Sequence, residues 1–380
     1  MIAIHDPDLP GLTELDATTL RRITGAEDVS VMRFRYREGK RAILHLCTEG
    51  GEGSVWFFQG DKAKRLARRN KRTARYDAPS EALFETFPND HRMPQIRAFL
   101  DDYDRIAPDL LGGDPSERPE LLRYRPGLSC TFRCRLMNGE AVYVKLINDD
   151  SPARLAEMNH QMVSHLAETS VSVAPIIGSA PDYDAIAYAA AAGWPLDAAL
   201  AETGDTAVVD RAIDALREFW QLKIAPTRPL TADALRKRGA ESCALTSLTV
   251  PASAPAARRT LERLDARTPH FDLCPIHADM KLEHLFIDRE KATLIDTESV
   301  SLGPPDYDLA QLFGRLWQAE LEGQLPRDLV EEAAARVRTE AGDNFAWCLD
   351  VVALRLAKFY AQRPTEDAAE KINAILDRLL

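Results

Sequence analysis

The stretch "HADMKLEHLFID", His277 to Asp288, sets a histidine, an aspartate, a lysine and a second histidine within eight positions. Its second half reads as a short strand. With "ATLID" it forms a hairpin around the turn Asp288-Arg289-Glu290-Lys291, leaving Asp296 at the exit of the second strand. An acid-bearing loop that feeds directly into a hairpin ending on a second acid is a place where side chains from two segments can meet.

Outward from this hairpin the chain is helical. "DRAIDALREFWQLKIA" lies before it, and "RDLVEEAAARVRTEAG" and "FAWCLDVVALRLAKFYAQ" lie after it, each with apolar residues at helical spacing. Further back the period changes to two. "LLRYRPGLSCTFRCRL" and "GEAVYVKLI" read as three antiparallel strands carrying Lys145 near the end of the last. A helix follows, with Ser151 as cap, Pro152 in its first turn, and Leu155, Met158, Met162 and Leu166 on one face. Two short apolar strands, "SVAPIIGS" and "AIAYAAA", then end at Gly193-Trp194-Pro195.

Before the Gly- and Pro-bearing boundary "LLGGDPSERPE", a similar phrase occurs in "VMRFRYREGKRAILHL" and "GSVWFFQ". Aligning Arg35-Tyr36-Arg37 with Arg123-Tyr124-Arg125, and Gly53 with Gly139, gives a weak internal repeat in which Gln59 stands where the second copy has Lys145. The expected division is 1–112 as an N-terminal extension with a degenerate sheet-lobe-like repeat, 113–192 as a sheet lobe, and 193–380 as a helical lobe. Segregated strands and helices make the fold class α+β.

Bulk properties narrow the function. At 380 residues the chain can bury a large core, and its net charge of -11 argues against a general nucleic-acid binder. The basic run "KAKRLARRNKR" reads as a solvated helix face. No apolar stretch has the length of a membrane span, and "MIAIHDPDLPGL" lacks the pattern of a secretory signal. Six cysteines without a C-x-x-C pair suggest reduced thiols and a cytoplasmic location, with Cys130 and Cys134 packing from one strand face.

Phosphoryl transfer needs phosphates held, a cation across them, and a hydroxyl placed in line. Asp279 suits the hydroxyl as hydrogen-bond acceptor and final proton acceptor, with His277 bracing the loop. Asp296 suits the cation, and Glu298 a second ion or its water. Lys145 suits the phosphates, with Glu157 as the carboxylate that holds it.

These residues carry a resemblance. "HADMKLEH", "LIDTES" and "LGPPDYDLAQL" resemble, in order and separation, the H-G-D-x-x-x-x-N, I-D-x-E and G-D-P-x-x-D-L-A segments of the aminoglycoside phosphotransferase and choline kinase-like family. "AYAAAAGWPLDAAL" resembles the family's hinge, and the likeness covers roughly residues 120–320. It implies a bilobal protein-kinase-like fold with an antiparallel β-sheet N-lobe and a mostly helical C-lobe, here preceded by an extra N-terminal α/β segment. It also implies an ATP-dependent kinase with magnesium.

Carried over by position, Asp279 becomes the catalytic base, Asp296 a metal ligand and Lys145 the phosphate-binding lysine. The backbone from Tyr188 through Ala190 to Ala192 would receive adenine, and Asp308 would anchor the loop. Lys281 matches the lysine that neutralises the moving phosphoryl group in the H-R-D-L-K-x-x-N loop of Ser/Thr protein kinases.

The chain departs from the pattern at His284, which replaces the metal-binding asparagine and favours manganese or direct phosphate contact. It departs again at "RYRPGLSC", where Gly127 is the only glycine and the amides of Leu128 and Ser129 would serve the phosphates. The expected acceptor is a small-molecule hydroxyl of aminoglycoside, choline, sugar or amino-alcohol type, with Glu331, Glu332 and Asp343 suiting a cationic one. The competing expectation is a catalytically silent module that binds nucleotide or protein, with residues 1–110 as interaction or oligomer surface.

Overall fold

The computed structural model describes residues 4–13, 15–148, 151–226, 229–288 and 291–379. By compactness the chain forms two units. One comprises Met1–Arg154, Ile177–Ala189 and Tyr360–Ala368, the other Leu155–Ile176, Ala190–Phe359 and Ala369–Leu380.

In the first unit the chain runs α1 (Ala17–Thr24), β1 (Val29–Arg37), β2 (Arg41–Thr48), β3 (Gly51–Phe58), α2 (Lys62–Arg69), β4 (Ala74–Asp77) and β5 (Ala82–Thr86). It continues with α3 (Gln95–Leu111), β6 (Glu120–Arg125), β7 (Ser129–Arg135) and β8 (Ala141–Ile147). After α4 (Pro152–His165) and β9 (Val171–Val173), which count with the second unit, β10 (Ile176–Ala180) and β11 (Ala185–Ala189) complete a sheet of the first. The two sheets have the orders β1-β2-β3-β5-β4 and β10-β11-β8-β7-β6.

Alternation along β8 explains the second sheet. Val142, Val144 and Leu146 are buried, while Tyr143, Lys145 and Ile147 take the opposite face. The buried face packs on α3 through Ile96, Phe99 and Tyr103, together with Phe132, Cys130 and Cys134 of β7. Each such apolar side chain contributes about 1.5–3 kcal/mol by leaving water. All six cysteines are free, and burial pushes the Cys130 and Cys134 thiols above the ordinary range. On α2 only Ala63 and Ala67 are buried, so its basic side chains are a solvated face.

The two meanders share a local device. In the first, Asp6 Oδ2 accepts from Tyr36 Oη at 2.7 Å and from the Gly39 amide at 3.0 Å. In the second, Asp90 Oδ2 accepts from Tyr124 Oη at 2.8 Å and from the Gly127 amide at 2.5 Å. Both aspartates also accept from an amide two residues on, that of Asp8 at 2.9 Å and that of Arg92 at 2.8 Å. Gly39 and Gly127 both adopt positive φ, at 60° and 65°.

Matching the turns equates Ile43 with Thr131, and strand pairing sets Ile43 opposite Trp56 and Thr131 opposite Lys145. The equivalent of Lys145 is therefore the buried Trp56, which corrects the alignment with Gln59. Gln59 lies past the strand end, donating to Asp8 at 3.0 Å.

The second unit continues with β12 (Trp194–Pro195), α5 (Leu196–Thr203), α6 (Ala207–Phe219), α7 (Ala232–Thr249), α8 (Ala254–Asp265) and β13 (Cys274–Ile276). Then follow β14 (Leu285–Ile287), β15 (Ala292–Leu294), β16 (Ser301–Gly303), α9 (Pro305–Leu321), α10 (Arg327–Thr339), α11 (Phe345–Ala361) and α12 (Ala368–Arg378). One small sheet has the order β12-β14-β15-β9, and β13 pairs with β16. The expected hairpin is β14 with β15. Residues 289 and 290 of its turn lie outside the described residues, while the flanking Asp288 amide donates to the Lys291 carbonyl at 2.9 Å. Among the described residues, no helix is long and apolar enough to cross a membrane.

Gly193 enters β12 at φ 88°, where an added Cβ would stand 2.4 Å from the Ile287 carbonyl oxygen. Gly193→Ala is expected to cost at least about 2 kcal/mol, from the positive φ and the backbone clash together. Urea unfolding measures this, and an unchanged midpoint would refute it.

Candidate active site

The loop between β13 and β14 is held from below by α9. Asp308, fully buried, accepts from the amides of His277 at 2.8 Å and Ala278 at 2.9 Å, and from Trp220 Nε1 at 3.2 Å. Gln311 Oε1 accepts from the Met280 amide at 3.1 Å, and its Nε2 donates to the Ala278 carbonyl at 3.3 Å. Ala278 takes φ 66°, a conformation that costs an alanine about 1–2 kcal/mol and that this network maintains. The loop's shape is thus imposed by buried hydrogen bonds to its backbone.

His277 is buried, and its Nε2 donates to the Ile295 carbonyl at 2.8 Å, tying the loop to the segment that presents Asp296. Asp279 remains a third exposed. Its Oδ2 lies 3.6 Å from Lys281 Nζ and its Oδ1 3.3 Å from Arg355 Nη2. Partial burial acts to raise its pKa, but the charges of Lys281, Arg355, His284 and Arg315 outweigh that and hold it far below the usual carboxylate range. Asp279 is therefore an anion at neutral pH.

His284 sits beneath this pair. Burial and the Lys281 ammonium press its pKa down to about 3, so the ring is neutral. Nδ1 lies 3.0 Å from the Asp279 carbonyl and can only donate to it, which leaves a lone pair on Nε2. That lone pair accepts from Lys281 Nζ at 3.1 Å and faces Asp296 Oδ2 at 3.2 Å. Asp296 adopts φ 58° at the head of a short 3-10 turn, and Glu298 is half-buried two residues on. Two neighbouring ligands of a cation held at about 2.1 Å stand about 3 Å apart. The spacing of the imidazole nitrogen and the carboxylate oxygen is that of two ligands of one divalent cation, which would take the Nε2 lone pair in place of Lys281, and a mixed N,O pair suits manganese at least as well as magnesium.

The remaining expected residues fall as follows. Lys145 is half-buried on β8, between Thr131 and Ile186 in register. Glu157 is exposed on α4, which belongs to the other unit, and accepts from Gln161 Nε2 at 2.8 Å. In the turn between β6 and β7, the Gly127 amide is committed to Asp90, and the Leu128 amide donates to the Arg125 carbonyl at 2.9 Å. Ser129 begins β7, opposite Ile147. Tyr188 pairs with Tyr143 in the sheet, and Ala190 and Ala192 are exposed beyond it.

Glu331 and Glu332 are engaged with Arg327 at 2.7 Å and Arg336 at 3.3 Å on their own helix. The side chains ringing Asp279 are cations instead. Sequence reasoning missed Arg355 and Arg315, as well as Tyr307, whose hydroxyl accepts from Arg355. One signal was available, since Arg355 interrupts the otherwise apolar run "VVALRLA". Trp220 also donates to Asp308.

Comparison with known proteins follows the same segment. The phosphotransferase enzyme family (APH) matches residues 120–345, more than half of the chain. Among curated proteins nothing matches. A solved thermostable mutant of aminoglycoside phosphotransferase APH(4)-Ia is similar with TM-score 0.54 and 15% identity, over 73% of this chain and 97% of that one. Choline kinase LicA from Streptococcus pneumoniae is similar with TM-score 0.51 and 13% identity, over 73% and 98%. Amicoumacin kinase hAmiN, solved with AMP-PNP, Ca2+ and Ami, has TM-score 0.50 and 13% identity, over 75% and 95%. At such identities the shared property is the kinase-like fold.

Proposed function

The chain belongs to the phosphotransferase enzyme family, and on that premise we propose that it transfers the γ-phosphoryl group of ATP to a hydroxyl of a small molecule. The observation that carries this reading is Asp279, an ionised and partly exposed carboxylate with Lys281 3.6 Å from it, on a loop pinned by Asp308. The AMP-PNP complexes of the aminoglycoside phosphotransferase and of amicoumacin kinase support ATP as donor, and the latter's Ca2+ supports a divalent cation.

In this reading the acceptor hydroxyl donates a hydrogen bond to Asp279 and its oxygen attacks the γ-phosphorus. The bond from that phosphorus to the β–γ bridging oxygen breaks and ADP leaves. The hydroxyl proton passes late to Asp279 and from there to water. Lys281 offsets negative charge on the moving group, and Lys145 neutralises the α- and β-phosphates. His284 and Asp296 would hold a divalent cation, which when bound screens the phosphate charge. With Arg355, Arg315 and Lys281 about the carboxylate, a neutral or anionic hydroxyl compound suits the surroundings better than a polycation.

The test is ATP turnover with magnesium and with manganese across neutral, anionic and cationic hydroxyl compounds. Transfer with no member of the panel would defeat the reading. A second reading, a module that binds nucleotide or protein without turnover, is favoured by His284 in the asparagine position and by the committed amides of Gly127 and Leu128. It gains if ATP binds and is never cleaved. His284→Asn supplies an oxygen ligand in place of nitrogen and is expected to raise the magnesium-to-manganese activity ratio by about tenfold or more. An unchanged ratio would remove His284 from the metal site.

A further inference from the structure

On α9 the residues beneath the catalytic loop recur at helical spacing. Asp308 and Gln311 hold the backbone of His277, Ala278 and Met280, and Arg315 follows at i+4 from Gln311, one turn further along the same face. Helix α11 packs close by. A Cβ added to Gly314 would stand 2.8 Å from Val352 and 3.0 Å from Leu356. This approach brings two guanidinium groups to the same end of the loop. Arg355 of α11 donates from Nη1 to the Tyr307 hydroxyl and from Nη2 to Asp279 Oδ1 at 3.3 Å. The Arg315 guanidinium stands 5.6 Å from the ring centre of Phe359, one turn after Arg355 on α11.

One carboxylate does not serve all of these cations. Asp279 turns Oδ1 to Arg355 and Oδ2 to Lys281, which has the exposed Glu283 at 3.9 Å as well. Arg315 is half-buried and rests on neutral groups, the Gln318 side-chain oxygen and the Phe359 ring. Among the described residues it has no carboxylate in contact. Glu322, two turns along α9, accepts from Gln318 Nε2 at 2.8 Å and Gln324 Nε2 at 3.3 Å. Burial presses the Arg315 pKa down and Arg355 adds to this, against the pull of Asp279, Glu283 and Glu322. A guanidinium partly withdrawn from water onto neutral partners is costly, and an anion at the fork offsets that cost.

We propose that Arg315 and Arg355 determine acceptor specificity, and that the acceptor is a hydroxyl compound carrying an acid group, a carboxylate or a phosphate, which these two arginines bind. The inference rests on the phosphotransferase reading and names the substrate class of that same site. Guanidinium forks match the oxygens of either acid group. The Arg355 side chain is 29% exposed, so a ligand reaches it from solvent. Because Arg355 touches Asp279, a compound with its hydroxyl on that carboxylate has only a few bonds to span before its acid group meets the arginines. A short hydroxy acid, a sugar acid or a sugar phosphate has this form. A polycation would set its charges against three cations.

The test is ATP turnover by the full chain, with magnesium and with manganese, on matched acceptors. One set is glycerol, glycerate and glycerol phosphate, the other glucose, gluconate and glucose phosphate, with ethanolamine as the cationic control. Wild type, Arg315→Gln and Arg315→Lys are compared at one ionic strength. In at least one set an acid member is expected to exceed its neutral partner in kcat/KM by about tenfold or more. Arg315→Gln is expected to cut that ratio about tenfold or more, with lysine, which keeps the charge but not the fork, in between. Which acid member leads separates carboxylate from phosphate. Circular dichroism shows whether the glutamine variant is folded, and the lysine variant carries the test if it is not. Turnover of the neutral or cationic members at least as fast as the acid ones overturns this inference and leaves the phosphotransferase reading standing. An acid preference that both variants keep unchanged does the same. If nothing in the panel is turned over, that reading falls, and calorimetric titration with glycerate and with glycerol phosphate decides the acid site alone. Binding that Arg315→Gln weakens about tenfold upholds the site, whereas no heat of binding, or equal binding by the variant, overturns it.

Discussion

Asp279→Asn is expected to lower kcat by about 10²–10⁴, the usual contribution of a positioned proton acceptor. Asparagine keeps the volume and can still accept a hydrogen bond, so the acceptor is bound much as before. What it removes is the negative charge that orients the hydroxyl and finally takes its proton. It also removes the counter-charge of Lys281 at 3.6 Å and Arg355 at 3.3 Å, leaving those cations facing one another. Because the interaction strengthens as the proton leaves, kcat and kcat/KM should fall together, with the KM for ATP little changed. Steady-state kinetics on the best acceptor decides it. A loss smaller than tenfold would mean that another group accepts the proton, and the assignment of Asp279 would be wrong.

Asp308→Ala is expected to be the most damaging single change outside that carboxylate. One fully buried side chain satisfies two backbone amides and an indole N–H. Truncation strands all three donors away from water, at about 1–3 kcal/mol for each one left unsatisfied. A loss of at least about 3 kcal/mol in chemical unfolding follows, together with loss of activity at temperatures where the protein is still folded. The second effect arises because Ala278 at φ 66° then keeps only the longer Gln311 contact at 3.3 Å, so Asp279 leaves its position. Asp308→Asn separates the causes. It keeps one acceptor but turns an NH2 toward a donor, so it should fall between alanine and wild type. Unfolding of Asp308→Ala at the wild-type midpoint would show that the amides find other partners.

Much of this was legible because it is local. Val142, Val144 and Leu146 alternate with Tyr143, Lys145 and Ile147, and a pattern of period two needs no partner to be recognised. The same holds for the β14–β15 hairpin and for the face of α4. Helix α3 was overlooked although Ile96, Phe99, Tyr103 and Leu110 keep helical spacing. The boundary "LLGGDPSERPE" begins within its last two residues, and Pro108 stands in its last turn. A proline in the last turn forfeits only one hydrogen bond, and that helix is held by burial against the sheet. The Gln59 alignment failed for a related reason. Counting residues from the loop glycines ignores how many positions a strand spends in pairing, and pairing placed Trp56 opposite Ile43.

By itself the sequence determined the order of the chemistry-bearing segments, because a hairpin and a strand each owe their pattern to neighbours within a few positions. Only the tertiary structure decided what surrounds Asp279. Arg355 reaches it across 76 positions, and His284 brings its Nε2 to both Lys281 Nζ and Asp296 Oδ2. Charges distant in sequence acquire their energies from separation and burial, and both exist only once the chain has packed.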